Sequence, residues 1–102
     1  AAYRQALAAP TGCLSPEREA SASAWLGAVE QAAGRPAEAL ALFERSLALA
    51  ARDTTVLTNR ALALESLGRT SEAAQAWARV AEAAAGTPLG ERARERSRAL
   101  NR

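Results

Sequence analysis

The 102-residue chain contains no histidine, lysine, isoleucine or methionine, and only one cysteine, one aspartate and one tyrosine. Each shortage closes off a class of chemistry. Without histidine, the commonest general base and the commonest metal ligand are both missing. With Cys13 alone, neither an intrachain disulfide nor a cysteine-rich metal cluster can form. Cys13 reads as an inert structural thiol, the alternative being a redox role or an intermolecular disulfide. No glycine-rich phosphate loop and no metal-ligand spacing occurs, and the carboxylates are scattered along the chain. No catalytic, cofactor-binding or metal-binding residue is therefore assigned, and the chain reads as a non-enzyme.

Long apolar runs are missing too. The longest are four or five residues, too short to cross a bilayer, and no signal peptide is visible. A soluble protein is expected, with cytoplasm and periplasm left open. The lack of methionine at residue 1 points to a processed product or an excised fragment. All 13 basic residues are arginine, a bias expected of a GC-rich bacterial genome. The net charge of +2 is too small to imply a nucleic-acid partner. Arg92, Arg94, Arg96 and Arg98 fan around their helix, and no aromatic residues interleave them, which also argues against nucleic acid.

What the chain has in abundance is alanine, 29 of its 102 residues. Alanine and leucine lose little side-chain freedom in a helix, whereas valine and the aromatics, which favour strands, are few. The expected class is all-α. Glycine and proline punctuate the pattern. Residues 2–9 read as the end of a helix stopped by Pro10-Thr11-Gly12. Ser15-Pro16 offers an N-cap followed by proline at the first helical position, opening a helix that runs to about residue 33. Gly34-Arg35-Pro36 breaks it and starts a helix over 36–51. A helix over 54–67 ends at Gly68 in a left-handed cap. The next covers 70–85, capped by Thr70 or Ser71. The last covers 88–100, with Thr87 as its N-cap.

The chain also repeats itself. Gly34 and Gly68 lie 34 residues apart, as do Arg35 and Arg69, Glu38 and Glu72, Ala39 and Ala73, and Phe43 and Trp77. Glycine permits a sharp inter-helix turn, alanine lets helices approach, and the aromatic one turn later fills the space between them. A 34-residue helix–turn–helix unit of this kind resembles the tetratricopeptide repeat. Residues 20–53 are similar to one repeat and 54–87 to a second. Residues 88–102 resemble the polar capping helix that closes such stacks. Residues 1–12 look like a partial preceding helix and linker, with Tyr3 in the aromatic position. The whole of 1–102 is read as a single domain. The pattern departs from the family where Arg60-Ala61 replaces a Leu-Gly pair kept at Leu26-Gly27. Glu30 and Leu64 also stand where an aromatic is common, and Ala51 and Ala85 where proline is usual.

The resemblance implies a right-handed α-solenoid with a concave face lined by the first helix of each pair. Carried over position by position, that face comprises Trp25, Ala28 and Gln31 with Ser21 and Ala24. To these it adds Thr55, Thr58, Asn59, Leu62, Glu65 and Ser66, then Leu89, Arg92 and Arg96. Helical spacing supports the grouping of 55, 58, 59, 62, 65 and 66 on one face, with Val56, Arg60, Ala63 and Leu67 on a different one. Asn59, in the run Thr58-Asn59-Arg60-Ala61, resembles the asparagine of chaperone-binding members. Ala24, Ala28, Leu89 and Ala93 occupy the other positions of that clamp, which argues against a chaperone tail as ligand. Trp25 is read either as a partner hot spot or as a core or half-core residue. Arg92 and Arg96 either meet an acidic ligand or merely solubilise the cap. Phe43, Trp77 and Tyr3 are assigned to the core.

The expected function is a non-catalytic protein–protein interaction scaffold that takes a peptide or helix in its groove. The alternative is self-association, as a segment of a longer solenoid or as a homo-oligomeric assembly factor.

Overall fold

The computed structural model describes residues 15–50 and 53–101. These form five α-helices, with no strand among the described residues. They are α1 (Pro16–Ala32), α2 (Pro36–Leu49), α3 (Thr54–Ser66), α4 (Thr70–Ala83) and α5 (Pro88–Leu100). The expected helix over 2–9, Tyr3 and Cys13 lie outside the described residues.

Local chemistry explains where the helices begin. Ser15 Oγ accepts from the Arg18 N–H at 3.3 Å, and Pro16 follows in the first turn, where its missing N–H costs nothing. Thr87 Oγ1 accepts from the Gly90 N–H at 3.1 Å and donates to the Ala84 carbonyl at 2.6 Å. Asp53 is the N-cap of α3, and its Oδ1 accepts from the Thr55 and Val56 N–H groups. The expected cap of α4 is corrected. Thr70 is already helical, and Arg69 takes the cap position without a side-chain hydrogen bond. Arg69 instead pairs with Glu72.

The two helix hairpins are built alike. At the first, Gly34 adopts φ +80°, its N–H donates to the Gln31 carbonyl, and the Arg35 N–H donates to the Glu30 carbonyl. At the second, Gly68 adopts φ +74°, its N–H donates to the Glu65 carbonyl, and the Arg69 N–H donates to the Leu64 carbonyl. Both are Schellman turns, in which a left-handed residue satisfies carbonyls left open at a helix end. The helix bounds recur with the same 34-residue period: α1 ends at Ala32 and α3 at Ser66, α2 opens at Pro36 and α4 at Thr70, and α3 opens at Thr54 and α5 at Pro88.

Each helix packs against its successor, and α1 also touches α3. Phe43, Val56, Leu57, Leu64, Trp77 and Val80 supply the large buried side chains, and Ala39, Ala61, Ala63 and Ala73 fill the close approaches. Ion pairs staple the outside, with Arg45 to Glu19 at 2.6 Å across α1–α2 and Arg60 to Glu44 at 2.8 Å across α2–α3. Ser46, buried in α2, donates its hydroxyl to the Ala20 carbonyl at 2.8 Å.

Gly27 has a packing role rather than a backbone one. A Cβ at this position would lie 2.6 Å from Phe43 Cε1 and 2.8 Å from Phe43 Cδ1. Gly27→Ala should therefore cost about 1–3 kcal/mol through displacement of the ring, offset by up to about 1 kcal/mol of helix propensity. In a Phe43→Leu background the same change should cost much less, because the obstructing ring atoms are gone. Urea denaturation of the four-member cycle measures this. Equal costs in both backgrounds would rule out the contact as the cause.

Candidate binding surface

Helices α1, α3 and α5 are joined in sequence by polar side chains. Gln31 Nε2 on α1 donates to Ser66 Oγ on α3 at 3.4 Å. Glu65 on α3 is ion-paired with Arg96 on α5. All fourteen residues assigned to the concave face lie on these three helices, among them Trp25, Ala28 and Gln31 on α1, Thr55, Thr58, Asn59, Leu62 and Glu65 on α3, and Arg92 and Arg96 on α5.

Their environments differ. Trp25 is 49% exposed, which makes it a half-covered residue and not part of the interior, and Ala28 beside it is exposed. Thr55 is exposed, while the half-buried Thr58 turns its hydroxyl back to the Thr54 carbonyl at 2.8 Å and is satisfied within its own helix. Asn59 is half-buried, and among the described residues its amide makes no side-chain hydrogen bond. Leu62 is 43% exposed. It sits over a depression of about 400 Å³ lined by Leu62, Trp77, Leu89, Arg92 and Arg96. The opposite face of α3 is buried at Val56 and Ala63, as the helical spacing predicts.

Three of these side chains form one cluster. Trp77 Nε1–H donates to Glu65 Oε2 at 2.5 Å, and Arg96 Nε donates to the same oxygen at 3.2 Å. A second arginine nitrogen donates to Glu65 Oε1. The Arg96 hydrogen bonds hold the Glu65 carboxyl below its ordinary value of 4.5, with the Trp77 N–H adding to the effect and partial burial opposing it. The same carboxylate raises Arg96, which stays charged. Arg96, read from the sequence as meeting an acidic ligand or solubilising the cap, has its acid within the chain, at Glu65. Arg92 remains exposed at the rim, with no ion pair among the described residues. Trp77, read as core alone, also closes one wall of the depression.

The sign of the acid response follows from the lowered carboxyl. The unfolded chain binds a proton at Glu65 more readily than the folded one, so the stabilisation is present above about pH 4.5 and lost as pH falls through the lower folded value. Glu65→Gln should flatten the stability–pH curve below about pH 4.5. Thermal melts of both proteins between about pH 2.5 and 6 test this, and an unchanged acid slope would rule out Glu65 as a contributor.

Among the described residues, no helix is long and apolar enough to cross a membrane, and no three acidic or cysteine side chains converge as a metal site would require. Compared with protein-family models, with curated proteins and with solved structures, the chain matches none of them.

Proposed function

We propose that the chain is a tetratricopeptide-like interaction module that binds a peptide or helix of another protein across the face made by α1, α3 and α5. On this reading, 20–53 and 54–87 are repeats of a right-handed solenoid and α5 is its cap. The observation that carries the proposal is the depression between α3 and α5. It combines two exposed or half-exposed leucines, Leu62 and Leu89, the edge of Trp77 and a rim cation in Arg92. Binding sites for peptides pair apolar floors with a few fixed polar groups in this way. Asn59, one turn before Leu62 on α3, adds an amide that can donate and accept at once, as a peptide backbone requires. The recurrence of helix bounds every 34 residues supports the repeat reading, since stacked units of this kind build continuous elongated faces.

The test compares wild type with an Asn59→Ala/Leu62→Glu/Arg92→Glu variant in pull-downs from a lysate of the source organism, with helicity matched by circular dichroism. Bands specific to wild type and lost in the variant support the face as a ligand site. The same bands with both proteins sink it.

A second reading, self-association, draws on α1. Trp25 and Val29 lie one turn apart there and are both exposed. Sedimentation across a concentration series separates the two readings, because a dimer held by this face would dissociate on dilution.

A further inference from the structure

The 34-residue recurrence allows one inter-unit junction to be compared with the other. At the α2–α3 junction, Arg60 is spent on Glu44 at 2.8 Å, and Leu64 is fully buried in the core shared with α4. Moving 34 residues along reaches the α4–α5 junction. Arg94 repeats Arg60, but Ala78 stands in place of Glu44, and Arg98 stands in place of Leu64. The acid that neutralises the first arginine has gone, and a second cation has replaced a core leucine. Arg94 and Arg98 are exposed and make no ion pair among the described residues. They border a trough of about 510 Å³ whose floor is Ala78, Ala81 and Ala85, with Glu82 as the one acidic side chain along it. Ser97 donates to the Ala74 carbonyl at 2.8 Å and fixes α5 against α4 beneath the trough.

We infer that this α4–α5 trough is a docking seat for an acidic amphipathic helix of a partner protein. Charge decides the sign of the ligand: two arginines against one glutamate leave the trough cationic. Spacing decides its form. Arg94 and Arg98 are one helical turn apart, about 6 Å along α5, which matches carboxylates three or four residues apart on a facing helix. Guanidinium groups bind such carboxylates with paired hydrogen bonds. The alanine floor has no large side chains, so a helix presenting small apolar residues can approach closely. The seat is separate from the α3–α5 depression and shares no lining residue with it.

The probe is a synthetic stapled helix of about four turns, with an alanine–leucine stripe flanked by glutamates four residues apart, and a counterpart carrying lysine at those sites. Each is titrated into the nitrogen-15-labelled chain. The acidic helix should shift the amides of Ala78, Ala81, Ala85 and Ser97, and the lysine helix should not. Arg94→Glu/Arg98→Glu should weaken the acidic helix about tenfold or more, the scale of one lost charge-assisted pair, and reverse the preference toward lysine. Ala78→Glu, which restores the acid of the first junction, should weaken the acidic helix on its own. All three positions are exposed, and circular dichroism checks that the variants stay folded. Binding of both helices regardless of these changes overturns the inference, as does absence of binding at millimolar probe. Shifts confined to Leu62, Leu89 and Arg92 also overturn it, while leaving the α3–α5 reading in place. Dilution-dependent shifts at the trough without any probe would assign the seat to a second copy of the chain and overturn it equally.

Discussion

Phe43→Ala should remove about 3–5 kcal/mol of unfolding free energy, the usual cost of emptying a fully buried aromatic site. Phe43 has no solvent exposure, and its ring lies directly against Gly27 of α1. Neighbouring large residues cannot collapse into the void, because they belong to separate helices already fixed by Schellman turns. A domain of this size has of order 5–15 kcal/mol in total, so the variant should lose a large fraction of its stability. Urea denaturation followed by circular dichroism gives the number. A loss below about 1.5 kcal/mol would mean that the site relaxes and that Phe43 does not hold the two helices together.

Trp77→Ala should be as severe, about 3–5 kcal/mol, and it should also be felt outside the core. Its ring belongs to the cluster shared by α3 and α4, while its N–H is one of the donors on Glu65. Trp77→Phe separates the two contributions. Most of the packing stays and the hydrogen bond goes, at a cost of roughly 1.5–3 kcal/mol for a donor to a charged acceptor. In Trp77→Phe, which keeps the ring's cover, the Glu65 carboxyl should titrate higher than in wild type, because one group favouring its charged form has been removed. Carbon-detected NMR titration of Glu65 reads this directly. An unshifted Glu65 in Trp77→Phe would show that the Trp77 N–H has no part in its ionisation.

The helices were readable from the sequence because their boundaries are written in residues with strong local preferences. Pro16, Pro36 and Pro88 open three helices, and Gly34 and Gly68 close two, all within one or two residues of the expected bounds. Where the preference is weaker, the sequence pattern and the structure differ. Thr70 and Ser71 have the side chains of good caps, but the Schellman turn at Gly68 takes only Arg69 after it, so the helix has already begun at Thr70. Asp53 has no neighbouring proline or glycine to mark it, so only its place just before Thr54 signals a cap. The surface of α3 was legible from spacing alone, since a period of 3.6 separates Leu62 from Ala63 and Val56. The Glu65–Trp77–Arg96 cluster was not. Its members lie 12 and 31 residues apart, and no local rule relates them. Their meeting depends on how α5 is laid against α3 and α4, which is a property of packing.

The order in which the helices touch also bears on how the chain reaches its folded state. Every described helix meets its immediate successor, and the further contacts, α1 with α3 and the Glu65–Arg96 pair between α3 and α5, each skip a single helix. No long loop has to close before its contacts form, so the search for the native arrangement is a succession of short steps and folding should be fast. The same neighbour-to-neighbour wiring means that α5 is held chiefly by α4. Loss of structure can start at α5 and pass to its neighbours one helix at a time, with amide protons of α5 exchanging before those of α3.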